Sequence, residues 1–167
     1  HKGQNGKVLI VGGSIDFSGA PILAGLGALY SGADIVYLYV PSSNFDVTRG
    51  MYPDFIVKKF DGEFLQEKDA DEIIAFGKEC NSILIGPGVG SHDESLNAVV
   101  KILQDLHIPT VLDAEAISAL KKIEKFPLQQ TIVITPHARE FQNLVDKDMI
   151  IDEQDSKSVI LLRSISM

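Results

Sequence analysis

Short apolar runs that alternate with helical patterns are the feature that most constrains how this chain can fold. Six runs predict strands, and they span residues 7–11, 35–40, 55–59, 82–85, 110–112 and 132–134. Segments between them predict helices, over residues 18–30, 69–76, 94–106 and 114–120. This alternation predicts an α/β protein in which helices wrap a mainly parallel sheet.

The end of the chain is ambiguous on the same criterion. Val159, Leu162 and Ile165 suit one face of a helix, whereas residues 159–162 alone could form a strand. We favour a helix within residues 152–167.

The predicted helix at 18–30 is unusual because Gly19, Gly25 and Gly27 lie among its apolar residues. A glycine inside a helix costs about 0.5–1 kcal/mol relative to alanine. Close packing or close approach of a ligand is the expected reason for them.

Composition limits the class of protein and its partners. With 167 residues, 45% of them hydrophobic, the chain is long enough for one domain with a sizeable core, and we expect a single domain over 1–167. A net charge of −8 argues against nucleic acid or an anionic membrane as a general partner. Cys80 has no second cysteine to pair with, and we expect a cytoplasmic protein without a membrane span.

Polar or glycine-rich turns follow four of the predicted strands. They are Gly12-Gly13-Ser14, Gly86-Pro87-Gly88-Val89-Gly90, Asp113-Ala114-Glu115, and Thr135-Pro136-His137 with Glu140 in the next helix. Because the carboxyl ends of parallel strands meet at one edge of a sheet, the last three of these turns predict one shared ligand crevice.

Each turn also has a purely structural interpretation. The glycines at 12 and 13 suit either a tight turn or a phosphate contact, but a Walker A lysine and the full dinucleotide fingerprint are absent. Asp113 could cap the next helix or reach substrate hydroxyls. His137 could contact a ligand or simply precede a helix whose positive end favours Glu140.

Other chemistries have no support in the sequence. His1, His92 and His107 show no metal-ligand spacing with one another or with Cys80, so no metal site is predicted. No G-x-S-x-G elbow is present, which argues against a serine-triad hydrolase.

Seven short motifs occur in one order along residues 1–144. They are His1-Lys2-Gly3 with Gly6, Gly12-Gly13-Ser14, Ser18-Gly19-Ala20-Pro21, Ser31-Gly32-Ala33, Ile85-Gly86-Pro87-Gly88-Val89-Gly90, Leu112-Asp113-Ala114, and Thr135-Pro136-His137 with Glu140. Together they resemble the ADP- or ATP-dependent NAD(P)H-hydrate dehydratases, a branch of the ribokinase-like superfamily.

The resemblance implies a three-layer α/β/α fold and a repair activity. Hydrated NADH or NADPH carries an extra ring hydroxyl, which the family removes after activating it with phosphate from ADP or ATP, with Mg²⁺ expected. The resemblance implies that Ala20, Gly88 and His137 contact the hydrated dinucleotide, with Gly86, Asp113 and Glu140 as supporting positions.

The sequence departs from the family after Leu144. The family continues to a strand ending in Lys-Gly and to a Gly-Thr-Gly-Asp turn that supplies an anion hole and a catalytic aspartate, and neither motif follows here. We therefore expect a domain truncated on its C-terminal side, with no catalytic residue assigned and no turnover by the chain alone. An uncovered sheet edge would favour a homo-oligomer or pairing with the missing part.

Two alternatives stay open beside the dehydratase interpretation. One is a small-molecule kinase of the same superfamily that acts on a vitamin precursor. The other is a non-catalytic subunit that binds a dinucleotide. The resemblance is equally compatible with ADP and with ATP as the phosphate donor. It is also compatible with a protein that has an epimerase domain before His1 and with one that lacks it.

Overall fold

A computed structural model describes residues 5–124 and 128–144 and the backbone of residues 160–162. Its strands are β1 (Lys7–Val11), β2 (Ile35–Pro41), β3 (Phe55–Phe60), β4 (Ser82–Ile85), β5 (Thr110–Leu112), β6 (Ile132–Ile134) and β7 (Ile160–Leu162). Its α-helices are α1 (Gly19–Tyr30), α2 (Phe45–Met51), α3 (Ala70–Gly77), α4 (Asp93–Asp105) and α5 (Ala138–Leu144). Three 3₁₀ segments lie at Ser42–Asn44, Glu67–Asp69 and Ala114–Lys122.

The strands form one sheet in the order β3-β2-β1-β4-β5-β6-β7. All neighbours are parallel except β7, which runs antiparallel to β6. The α/β class and the mainly parallel sheet are therefore confirmed. Strands are added on one side of β1 and then on the other, which creates a switch point between β1 and β4 where open α/β sheets bind ligands.

Helices cover both faces of this sheet. Along β1, Leu9 and Val11 belong to a core that includes residues of α3 and α4, whereas Ile10 packs with Ile22 of α1 on the opposite face. Burial on both faces explains why β1 is apolar at successive positions instead of alternating with polar residues. The result is the three-layer α/β/α arrangement that the resemblance implied.

Three parts of the structure differ from the sequence-based prediction. Helix α2 was not predicted, because its seven residues are too few to show a clear helical period. The segment at Ala114–Lys122 is a 3₁₀ helix rather than an α-helix. The favoured C-terminal helix is wrong at Ile160–Leu162, where pairing with β6 makes a strand, and the rest of 152–167 lies outside the described residues.

No helix within the described ranges is both long enough and apolar enough to cross a bilayer.

The glycines of α1 have different surroundings. A Cβ added to Gly25 would lie 2.9 Å from ring carbons of Phe55 and 3.1 Å from a methyl of Leu38, so close packing explains this residue. A Cβ added to Gly19 or Gly27 would meet nothing within 4 Å. Packing within the described chain therefore accounts for one of the three glycines.

Alanine substitutions in α1 should test this difference. Gly25→Ala should lower the free energy of unfolding by about 1–3 kcal/mol, because the added methyl overpacks Phe55 and Leu38. Gly27→Ala, the matched control, should raise it by about 0.5–1 kcal/mol, because only helix propensity changes. Urea denaturation of both variants measures the difference, and equal effects would contradict the packing argument.

Candidate active site

The candidate crevice begins where the turns after β1 and β4 touch. Gly86 donates its N–H to the carbonyl of Val11 at 3.1 Å, and Gly13 donates to the carbonyl of Pro87 at 2.8 Å. A Cβ on Gly12 would lie only 2.4 Å from the Pro87 oxygen. Gly12 is therefore required by contact between the two turns, which supports its structural interpretation.

Tyr39 supports this contact from β2. Its carbonyl accepts the N–H of Gly12 at 3.1 Å, and its hydroxyl donates to a carboxylate oxygen of Glu72 at 2.5 Å. Burial is the main cause that raises the pKa of Tyr39 above its usual value, and the neighbouring Glu72 carboxylate is the second. The Tyr39 hydroxyl is consequently harder to ionise than that of a free tyrosine, and it keeps its hydrogen bond to Glu72.

Gly86 and Asp113 join the ends of β4 and β5. Gly86 has a φ of +129°, and a Cβ there would lie 1.8 Å from the Asp113 carbonyl oxygen. The Asp113 N–H donates to the carbonyl of Ile85 at 3.0 Å. Glycine at position 86 is thus required both by its backbone conformation and by the backbone that crosses it.

The side chain of Asp113 reaches β6 rather than the helix that follows it. Its Oδ1 accepts a hydrogen bond from Thr135 Oγ1 at 2.6 Å, and it makes no side-chain cap to the 3₁₀ segment. The capping interpretation of Asp113 is therefore wrong. The next residue, Ala114, has a φ of +52°, an uncommon conformation for a non-glycine residue, which turns the chain sharply after Asp113.

His137 and Glu140 form a reciprocal cap at the start of α5. The ring Nδ1 of His137 accepts the N–H groups of Arg139 at 3.1 Å and Glu140 at 3.2 Å. In return, Glu140 Oε2 accepts the N–H of His137 at 2.9 Å, and Oε1 lies 3.2 Å from His137 Nε2. This is a capping box in which histidine takes the place of serine or threonine.

The cap determines what His137 can offer a ligand. Because Nδ1 accepts from two amides, the proton of the neutral ring lies on Nε2. Glu140 holds that side of the ring, while the His137 side chain stays 49% exposed. The Nε2–H therefore lies beside a carboxylate oxygen of Glu140, and the half-exposed ring leaves room for a ligand next to this pair.

Ala20 and Gly88 lie side by side at the other end of the crevice. A Cβ on Gly88, whose φ is +74°, would lie 3.5 Å from Cβ of Ala20 and 2.9 Å from Cβ of Phe17. The six predicted site residues thus form three contacting pairs at the carboxyl edge of the sheet: Ala20 with Gly88, Gly86 with Asp113, and His137 with Glu140. Thr135 links the second pair to the third.

Asn44 is a buried polar residue of this edge that the sequence analysis missed. It is 3% exposed, and its Nδ2 donates to the carbonyl of Ser14 at 2.8 Å and to that of Phe17 at 3.4 Å. These bonds hold the loop between β1 and α1. The available signal was its position just after β2, at the same edge as the other turns.

No group of three His, Cys, Asp or Glu side chains in residues 5–124 and 128–144 is placed to hold a metal ion.

Residues 8–165 match the sequence model of a family described as NAD(P)H-hydrate dehydratase. The chain is 35% identical over 169 residues to the bifunctional NAD(P)H-hydrate repair enzyme of Methanothermobacter thermautotrophicus, covering 99% of this chain and 32% of that protein. The chain thus spans about a third of that relative's length.

Solved structures give the same result. The ADP/ATP-dependent NAD(P)H-hydrate dehydratase of Bacillus subtilis, co-crystallised with ATP and Mg²⁺, has a TM-score of 0.67 and 29% identity, covering 86% of this chain and 48% of that one. A ribokinase-like protein of Enterococcus faecalis also has a TM-score of 0.67, with 23% identity and coverage of 83% and 48%. The ribokinase-like fold is therefore confirmed.

Removing the amide of Asn44 should loosen the β1–α1 loop. Asn44→Ala should lower the free energy of unfolding by about 1–3 kcal/mol, because it removes the buried amide that donates to the Ser14 and Phe17 carbonyls and leaves the Ser14 carbonyl with only the N–H of Phe17. Asn97→Ala, at an exposed position of α4, serves as the control and should change it by less than about 0.5 kcal/mol. Urea denaturation measures both values. Amide exchange at Ser14 and Phe17 should accelerate in the first variant only, and unchanged exchange there would refute the anchoring role.

Proposed function

Because the chain belongs to the NAD(P)H-hydrate dehydratase family, we propose that it binds hydrated NADH or NADPH at the carboxyl edge of its sheet. The crevice is then the substrate-holding part of an enzyme that dehydrates these damaged cofactors with the help of ADP or ATP. The observation that supports the proposal is that Ala20 and Gly88 are neighbours next to the switch point between β1 and β4, while Asp113 and His137 follow the next two strands, β5 and β6, at the same edge of the sheet.

Dehydration of the hydrated ring needs a better leaving group than hydroxide. Transfer of a phosphoryl group from the nucleotide to the ring hydroxyl forms a phosphate ester. Cleavage of the carbon–oxygen bond then releases phosphate, and loss of a proton from the adjacent carbon restores the ring double bond. In these steps the role of the crevice is to bind and orient the ring, since proximity and orientation lower the barrier to both phosphoryl transfer and elimination.

His137 is the residue best placed to orient the substrate. Two backbone amides hold its ring in place, and its Nε2–H, which lies 3.2 Å from Glu140 Oε1, can be shared with a ligand oxygen. Such a donor can bind a ring hydroxyl or a carboxamide oxygen without losing side-chain freedom. Asp113, which Thr135 orients, lies at the end of the neighbouring strand and can accept from a ribose hydroxyl.

We propose ADP or ATP as the co-substrate, since the similar Bacillus subtilis enzyme is named for both and was crystallised with ATP and Mg²⁺. The described residues offer no cluster of metal ligands. The Lys-Gly and Gly-Thr-Gly-Asp motifs are also absent from these 167 residues, so we expect binding by this chain without turnover.

We also propose that this chain packs against another copy or against a further C-terminal part. Val111 of β5 pairs with Leu84 of β4 and with Val133 of β6. These residues lie on the face of the sheet that α1 covers farther along, yet Val111 and Val133 both stay half-buried. An apolar sheet face left partly open favours association.

Sedimentation velocity over a wide concentration range should show self-association when no other part is supplied. Val133→Glu should shift the chain to the monomer, because a carboxylate cannot be buried there without a partner. If the wild-type chain stays monomeric at every concentration, packing against a second copy is refuted, and packing against a further C-terminal part is the remaining form of the proposal.

Substitution of His137 by asparagine separates the capping role of this residue from its ligand role. An asparagine side chain can still cap α5, so His137→Asn should change the free energy of unfolding by less than about 0.5 kcal/mol. Loss of the Nε2 donor should weaken binding of hydrated NADH by about 3- to 10-fold. Calorimetric titration measures the affinity, and ordinary, unhydrated NADH is the reference ligand.

His107→Asn is the matched control, because this exposed histidine precedes β5 at the opposite edge of the sheet. It should leave the affinity unchanged. Failure of the wild-type chain to bind hydrated NADH would refute the proposed function. Equal affinity for NADH and its hydrate would favour a dinucleotide-binding subunit, and a stable phosphorylated product on addition of ATP would favour a small-molecule kinase.

A further inference from the structure

The loop between β1 and α1 carries exposed apolar side chains at the carboxyl edge of the sheet, beside the turn that contains Gly88. Phe17 is 56% exposed and Ile15 is 53% exposed, although Leu9, Ile10 and Val11 just before them are fully buried. Isolated exposed apolar side chains are common on protein surfaces, so exposure alone indicates no function. The fixed position of this loop is what distinguishes Phe17.

Hydrogen bonds hold the backbone around Phe17. Its N–H donates to the carbonyl of Ser14 at 3.0 Å, and the N–H of Ser14 donates back to the carbonyl of Phe17 at 3.2 Å. The buried Asn44 amide donates to both carbonyls. Ile15 donates to the carbonyl of Glu63 at 2.7 Å, which ties the loop to the segment after β3. The aromatic side chain is therefore presented from a fixed backbone.

Phe17 lies directly against the Gly88 turn. A Cβ on Gly88 would lie 2.9 Å from the Phe17 Cβ and 3.1 Å from its carbonyl oxygen. The same added atom would lie 3.5 Å from the Cβ of Ala20. Phe17 thus borders the two positions that the proposed function assigns to the hydrated dinucleotide.

The Phe17 ring takes no part in holding the fold together. Neither hydrophobic core includes it, and within residues 5–124 and 128–144 it makes no aromatic pair and no cation–π contact. By contrast, Phe60 and Phe76 each pack against Tyr39. The face of the Phe17 ring is consequently open to a ligand.

We propose that Phe17 is a substrate-binding residue whose ring stacks on a planar, conjugated, nitrogen-containing group of the bound dinucleotide. This inference rests on the proposed function. Both ends of a hydrated dinucleotide offer such a group: the adenine ring, and the conjugated segment from the ring nitrogen to the carboxamide on the nicotinamide side. A rigid aromatic side chain binds either with little loss of conformational entropy.

Replacement of Phe17 by leucine keeps the apolar bulk and removes the aromatic face. Phe17→Leu should bind hydrated NADH roughly tenfold more weakly, as expected when one base–aromatic stack is lost. Phe17→Tyr should restore nearly wild-type affinity. Tyr30→Leu is the matched control, because Tyr30 is an exposed aromatic residue at the far end of α1, and it should have no effect.

A spectroscopic readout tests the stacking itself. Chain labelled with 4-fluorophenylalanine at its eight phenylalanines should give one ¹⁹F resonance that is lost in Phe17→Leu. That resonance should shift on addition of hydrated NADH. Titration with AMP and with reduced nicotinamide mononucleotide then identifies the half of the dinucleotide that stacks, since only that half should reproduce the shift.

The outcomes separate this inference from the proposed function. Binding by wild type, together with unchanged affinity in Phe17→Leu or an unmoved Phe17 resonance, would overturn the stacking role and leave the proposed function intact. A wild-type chain that binds no hydrated NADH would overturn both.

Discussion

Backbone-to-backbone contact at the switch point is the constraint on which the rest of this structure depends. The turns after β1, β4 and β5 approach so closely that a Cβ on Gly12 or Gly86 would meet a carbonyl oxygen of Pro87 or Asp113. Because these contacts leave no room for side chains, the strand ends stay at one edge and the crevice has a fixed floor. The glycines that suggested a ligand loop are needed first for this contact.

The same side chains both hold the fold and form the candidate site. His137 caps α5 through its Nδ1, Asp113 joins β5 to β6 through Thr135, and Asn44 fastens the loop that carries Phe17. Groups already fixed by structural hydrogen bonds lose little entropy when a ligand binds. A site built in this way is preorganised, and its residues cannot be sorted into structural and functional classes from the sequence.

The sequence predicted much of the fold because strand and helix patterns are local. Apolar runs and turns located β1 to β6 and four of the helical segments. Local signals failed where length or pairing decided the outcome: α2 is too short to show a period, and Ile160–Leu162 is a strand because β6 offers it a partner. The motifs from Gly12 to His137 were also sufficient to identify the family, since their order along the chain is independent of geometry.

What the tertiary structure alone decided is how those motifs are used. The sequence determined that small residues at 20 and 88, carboxylates at 113 and 140 and an imidazole at 137 would follow strand ends. It could not determine that Asp113 accepts a hydrogen bond from Thr135 instead of capping the helix that follows it. Nor could it determine that His137 Nδ1 accepts two backbone N–H groups, or that Phe17 lies against Gly88. The first and last of these contacts join segments that are far apart in the sequence, so their distance depends on the packed sheet. The His137 contacts are local, and they depend on the direction in which the ring turns at the start of α5.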